Sequence, residues 1–264
     1  MTNVEMLRHW DYLIVTASND AQARAYESQL ALRRGMGLLA DIREVLVVAD
    51  PGGKRIGSGG STIHCLLEVI DRERRSGPAV PAGREGVEAI LRRLRILIVH
   101  AGGDSRRLPA YAPCGKIFVP VPGESDAGLA PTLFDRLLPS FLGLPPGGRA
   151  DGQVVVASGD ALTRFDPADV SLAGPGLIAL GCHASPEQAS RHGVFCPTPD
   201  GRVRLYLQKP EPEAQVRVGA VNRYGQTILD IGVMSFDASF ALALLDAFGA
   251  APGPAGALVL PAGL

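Results

Sequence analysis

Four short runs in the first two thirds of the chain are almost wholly apolar and rich in Val, Ile and Leu: Asp11 to Ala17, Glu44 to Ala49, Arg95 to His100 and Gln153 to Ala157. They barely alternate, which is the pattern of strands buried on both faces and predicts a parallel sheet. Between the first two, Asp20 to Arg34 has helical spacing, with Asn19 or Asp20 as N-cap and Gly35 or Gly37 as the stop. This opening stretch therefore predicts a β-α-β unit. A second helix is predicted from about Ser61 to Arg75, followed by a polar Gly/Pro-rich break from Ser76 to Gly86. Val87 to Leu94 then leads into the third strand, and Thr132 to Leu142 predicts another helix, ended by the loop Gly143 to Gly152.

After Ser158-Gly159-Asp160 the texture changes. Leu177 to Gly181, Gly193 to Cys196, Val203 to Leu207 and Ile228 to Phe236 predict short strands, and Thr198-Pro-Asp-Gly201 is a hairpin turn signal. The expected fold class is α/β, three-layer, with a mostly parallel, Rossmann-like sheet, antiparallel additions in the second half, and ligands at the carboxyl ends of the strands. Residues 1–248 form one expected domain. Gly249 to Leu264 is an uncharged Ala/Gly/Pro/Leu tail that reads as a truncated or altered end.

Composition narrows the function. Of 264 residues, 46% are hydrophobic and 20% charged, which fits a folded soluble chain rather than a disordered one. The net charge of −1 gives no basic excess for a polyphosphate backbone, so nucleic acid is not the expected partner. No apolar run approaches a bilayer span, so no membrane partner is expected. Cys65, Cys114, Cys182 and Cys196 stand singly, without metal-site or disulfide spacing, and the expected setting is cytoplasmic. Only Lys54, Lys116 and Lys209 are lysines among 26 basic residues. GC-rich coding explains the preference for arginine, and a surviving lysine then marks a site where a compact ammonium is needed rather than a planar guanidinium.

The strongest chemical signal is Ile96-Leu-Ile-Val-His-Ala-Gly-Gly-Asp-Ser-Arg-Arg-Leu-Pro109, followed by a turn that returns Lys116. Gly102 and Gly103 let backbone N–H groups approach a phosphate, and Arg107 and Lys116 neutralise oxygens that gain charge during phosphoryl transfer. No Walker loop and no G-x-G-x-x-G is present. Gly52 to Thr62 is a second glycine-rich segment. It reads equally as a nucleotide-facing wall or as a crossover whose Ser61 or Thr62 caps a helix. Asp160, just past a buried strand, suits either a Mg²⁺ ligand or a turn residue.

Ala101-Gly-Gly-Asp-Ser-Arg-Arg-Leu108 resembles the sugar-nucleotide pyrophosphorylase pattern A-G-G-x-G-T-R-L, with Ser105 and Arg106 departing from it. Together with Trp10 to Ala17, Ala49 to Thr62 and His100 to Phe118, the chain is similar to the GDP-L-fucose pyrophosphorylase region of fucokinase-type proteins, as far as about Asp237. The resemblance implies a GT-A-like nucleotidyltransferase sheet and transfer from GTP to a sugar 1-phosphate, L-fucose 1-phosphate, with release of pyrophosphate. It implies nucleotide contacts at Gly57, Gly59, Gly60, Gly102, Gly103, Asp104, Ser105 and Arg106, and catalysis by Arg107 and Lys116. It tips Asp160 toward Mg²⁺, places Lys209 on the sugar phosphate, lets the sugar approach at Gly193 and has Asp230 accept from sugar hydroxyls; Gln208 stands where relatives carry Glu. Asp237 and Asp246 make poor second metal ligands, Asp237 being better placed to cap a helix from Ala238 to Phe248. Two alternatives stand beside this reading: the N-terminal part of a bifunctional L-fucokinase/GDP-fucose pyrophosphorylase without its kinase domain, and a non-catalytic nucleotide-sugar sensor. Retention of Arg107, Lys116 and Asp160 speaks against the sensor.

Overall fold

A computed structural model describes residues 10–103, 109–112, 115–124, 128–147, 151–252 and 258–261. The chain divides into two compact units, one of residues 1–178 and 235–264 and the other of 179–234.

In the first unit the four apolar runs are strands, as their lack of alternation predicts: β1 (Trp10–Ala17), β2 (Ile42–Ala49), β3 (Arg95–His100) and β4 (Gln153–Ser158). They pair in parallel in the order β2-β1-β3-β4, with Ile14 opposite both Leu46 and Ile98, and Ile98 opposite Val156. Helix α1 (Asp20–Gly35) packs on β1 and β2, and Asn19 caps it by accepting from Gln22 N at 3.0 Å. The crossover from β2 to β3 carries α2 (Gly57–Ser76) and α3 (Gly83–Arg92). Tyr12, Ile14, Ile96 and Ile98 share a core with Leu66 and Ile70 of α2 and with Ile90 and Leu91 of α3. Strand side chains alternate in direction, so Leu13, Val15, Leu97 and Val99, all at most 1% exposed, serve the opposite face. Each buried aliphatic side chain contributes about 1.5–3 kcal/mol.

Two sequence expectations change here. Helix α2 begins at Gly57 rather than Ser61, because the Ser61 and Thr62 hydroxyls do not cap it: they are buried and bonded to Asp50 and His100. The expected break before the third strand is partly helix. Val87, Ile90 and Leu91 fall on one face of α3, and burying that face outweighs the glycines at its start. Near the end of the sequence β9 (Ala251–Pro252) pairs with β10 (Leu258–Val259), and Leu258 and Leu260 pack against the core. Helix α4 (Leu133–Leu142) lies where the spacing puts it.

The second unit is antiparallel. It holds most of β5 (Leu177–Ala184), the short helix α5 (Pro186–Ala189), β6 (Gly193–Pro197), β7 (Val203–Gln208), the short helix α6 (Pro212–Arg217) and most of β8 (Thr227–Phe236). Strand β6 pairs with β7 and with β8, and β5 with β8. The predicted turn forms between β6 and β7, with Gly201 at φ 84° and Thr198 N donating to Arg202 O at 2.7 Å. Helix α7 (Ala238–Ala247) returns the chain to the first unit, capped by Asp237, which accepts from Phe240 N at 2.8 Å. The class is therefore mixed α/β, with a parallel and an antiparallel part.

Candidate functional site

Ligands of open α/β sheets bind beyond the carboxyl ends of the parallel strands. At that edge lie Thr16 to Ser18 at the end of β1, Asp50 after β2, His100 to Gly103 at the end of β3, and Ser158 to Asp160 at the end of β4. The edge is tied together by side chains. Thr62 Oγ1 lies 2.9 Å from His100 Nε2, and Thr16 Oγ1 lies 3.4 Å from His100 Nδ1. Thr16 Oγ1 also accepts from Ala101 N at 3.2 Å. Each hydroxyl can both donate and accept, so the two threonines engage both ring nitrogens of His100. Burial pushes His100 down to about 4, against the weak pull of Asp50. Asp50 in turn accepts from Ser61 Oγ at 2.6 Å.

Two of the predicted site residues meet. Lys116 opens a 3-10 turn, Lys116–Phe118, and its Nζ donates to Asp160 Oδ2 at 3.0 Å. Ser158 Oγ donates to Asp160 Oδ1 at 2.8 Å. Burial works against the Asp160 charge, but the hydrogen bonds from Lys116 and Ser158 prevail and hold the carboxyl below the usual range. Gly159 allows this approach: a Cβ there would stand 2.9 Å from His100 O and 2.9 Å from Ile117 Cδ1. The pair is about half exposed, so it contributes little to stability and its ammonium is open to exchange with another anion.

Gly103 has φ 144°, and its N–H donates to Ser18 Oγ at 2.5 Å, so that amide is already engaged. A Cβ on Gly102 would meet Ala17 and Ser18 only at ordinary contact distance. Asp104, Ser105, Arg106 and Arg107 lie outside the described residues, as does Cys114. Gly57, Gly59 and Gly60 form the first turn of α2 instead of a loop; Gly60 is needed because a Cβ would stand 2.9 Å from Ile56 Cβ.

Gly193, Lys209 and Asp230 lie in the second unit. A residue not anticipated from the sequence, Tyr206, joins two of them. Its hydroxyl donates to Asp230 Oδ2 at 3.0 Å and lies 3.3 Å from Gln208 Oε1. It also occupies the space where a Gly193 Cβ would stand, at 1.9 Å, so packing against Tyr206 by itself accounts for glycine at 193. Burial and the Asp230 charge push the Tyr206 phenol up to about 12. Lys209 is the only described non-glycine residue with positive φ, 49°, and its N–H donates to His192 O at 2.9 Å. Such a conformation carries strain in a residue that has a Cβ.

Among the described residues no three His, Cys, Asp or Glu side chains gather as a metal centre. Asp160 fits Mg²⁺ only as a single carboxylate, with phosphate oxygens and water supplying the other ligands. Asp237 is spent as a cap, and Asp246 pairs with Arg84 at 2.7 Å. Cys65 and Cys196 are buried free thiols, and Cys182 is exposed and free. No helix among the described residues is long and apolar enough to cross a membrane.

The carboxyl edge of the parallel sheet thus carries a glycine segment, Lys116 paired with Asp160, and Asp50 bonded to Ser61. The fucose pyrophosphorylase domain matches residues 88–254, and the chain belongs to that family. It is 30% identical over 244 residues to a bifunctional fucokinase/GDP-fucose pyrophosphorylase of Arabidopsis thaliana, covering 86% of this chain and 23% of that protein. It is 33% identical over 190 residues to an L-fucokinase/L-fucose-1-P guanylyltransferase of Bacteroides fragilis, covering 70% of this chain and 19% of the relative. Against a fucose-1-phosphate guanylyltransferase of Mus musculus it is 29% identical over 240 residues, covering 84% and 37%. The chain thus spans well under half the length of each of these relatives.

Proposed function

We propose that this chain is a nucleotidyltransferase that joins GTP to L-fucose 1-phosphate and releases pyrophosphate, on a sheet of the GT-A-like type. The observation that carries the proposal is the Lys116–Asp160 pair at the carboxyl edge of the parallel strands, inside the segment matched by the fucose pyrophosphorylase domain. The names of the relatives supply the base and the sugar.

The reaction is an in-line displacement. A phosphate oxygen of the sugar 1-phosphate bonds to the α-phosphorus of GTP, and the bond from that phosphorus to the bridging oxygen of the β-phosphate breaks. Pyrophosphate leaves with the electron pair. The nucleophile is already an anion, so no general base is required, and catalysis is a matter of positioning and charge. Lys116 supplies the charge. Its ammonium passes from Asp160 to a phosphate oxygen, and Arg107 is the proposed second cation. Gly57, Gly59, Gly60, Gly102, Gly103, Asp104, Ser105 and Arg106 are the proposed nucleotide contacts. Lys209 with Asp230 and Gly193 is the proposed sugar-phosphate subsite.

When bound, Mg²⁺ screens the negative charge of the triphosphate. Asp160 is the residue proposed to hold it, once Lys116 has moved off Oδ2. Calorimetric titration of Mg²⁺ with and without GTP tests this: binding should be weak alone, stronger with GTP, and lost in Asp160→Asn. Tight binding by the free protein would overturn it. The free cysteines favour a cytoplasmic setting. The function itself is tested by pyrophosphate release across nucleoside triphosphates and sugar 1-phosphates with Mg²⁺. GTP with L-fucose 1-phosphate should turn over fastest; GTP binding with no turnover for any pair would favour a sensor.

A further inference from the structure

Helix α1 buries polar side chains where an ordinary sheet-covering helix would place aliphatic ones. Gln22, Tyr26 and Arg33 share the buried face with Ala23 and Leu30 and are 6%, 0% and 1% exposed. Burying an amide, a phenol and a guanidinium costs desolvation that leucine would not incur. Each of the three reaches a different part of the segment that runs from β3 to α4.

Gln22 Oε1 accepts from Ser18 N at 2.9 Å, while Nε2 donates to Gly103 O at 3.3 Å and Ala112 O at 3.4 Å. Gly103 and Ala112 stand on either side of residues 104–108. Tyr26 donates to Ala101 O at 2.9 Å. Its hydroxyl also fills the space of an absent Cβ at Gly115, 1.7 Å away, immediately before Lys116. Its ring meets that of Phe118 edge-on at 5.3 Å. Arg33 is clamped by both oxygens of Asp135, at 2.7 Å each, and its guanidinium lies 5.1 Å from the centre of the Phe118 ring. Phe118 belongs to the same 3-10 turn as Lys116.

We infer that Gln22, Tyr26 and Arg33 are positioning residues that hold the glycine segment and the Lys116 turn in one fixed arrangement for an oligophosphate ligand. This rests on the phosphate-site reading given above. None of the three is a catalytic residue; each acts through the backbone or ring it holds. Their effect should therefore pass through Lys116.

The test is a double-mutant cycle read as inorganic pyrophosphate affinity by calorimetry. Tyr26→Phe keeps the ring and removes only the hydroxyl. It should melt within about 5 °C of the wild type and bind pyrophosphate about tenfold more weakly, as loss of one buried hydrogen bond at the site implies. In a Lys116→Ala background the same change should cost less than about twofold, because the group being positioned is gone. Gln22→Met, of similar shape but without the amide, should repeat the pattern and serves if Tyr26→Phe does not fold. Unchanged affinity in Tyr26→Phe, or an equal loss in both backgrounds, overturns the inference, as does a wild type that does not bind pyrophosphate. A wild type that binds pyrophosphate with this coupling yet does not join GTP to L-fucose 1-phosphate would leave the inference standing and sink the guanylyl-transfer reading.

Discussion

His100 makes the stability of this protein depend on pH in an interval above the range of Glu73, Asp135 and Asp160. Held between Thr16 and Thr62, the imidazole is neutral in the folded chain, with its value lowered from 6.5 to about 4. The unfolded chain takes up the proton first, so lowering the pH favours unfolding. The stabilisation is complete above the unfolded value and is lost as pH falls toward the folded one. Between pH 7 and pH 5 this removes about 2 kcal/mol. Glu73, Asp135 and Asp160 are held below the usual carboxylate range and stay ionised over that interval. Urea denaturation of the wild type and of His100→Gln at pH 7, 6 and 5 isolates the effect. The wild type should lose about 2 kcal/mol more than the variant. Parallel pH dependence in the two proteins would refute the buried neutral imidazole.

Two further outcomes follow from single contacts. Asp135→Ala strands the Arg33 guanidinium, itself 1% exposed, without its carboxylate, and should cost about 3–5 kcal/mol of stability by denaturant titration; a loss under 1 kcal/mol would show that the pair is not a buried one. Lys209→Ala should weaken sugar 1-phosphate binding about tenfold or more while leaving GTP affinity nearly unchanged, as loss of a charged hydrogen-bond partner does, and equal weakening of both ligands would move Lys209 out of the sugar subsite.

The parallel strands were legible because a strand covered on both faces has no polar positions to spare; β1, β3 and β4 fall within a residue of their apolar runs. The caps Asn19 and Asp237 were legible for a local reason, since a cap needs only its next turn. Helix α3 was missed because Pro81, Gly83 and Gly86 look like a break, and only the core shows that Val87, Ile90 and Leu91 form a face. The start of α2 was misplaced for a similar reason: whether Ser61 and Thr62 cap a helix or bond elsewhere depends on Asp50 and His100, which are distant in sequence. Lys116 and Asp160 stood out singly, as a rare lysine and as an acid at a strand end. That they touch, and that Gly159 makes room for it, belongs to the fold. The α1 stripe carried a weaker signal, polar residues on the helix face turned to the core, which becomes readable only once that face is known.

The most direct test of the central claim is pyrophosphate release from GTP and L-fucose 1-phosphate by Lys116→Ala beside the wild type. Loss of a preorganised charge at the reacting phosphate should lower turnover by about a hundredfold or more. The melting temperature should hardly change, because the Lys116–Asp160 pair is exposed. A variant that keeps near-normal turnover would contradict the assignment of this strand-end edge as the catalytic phosphate site.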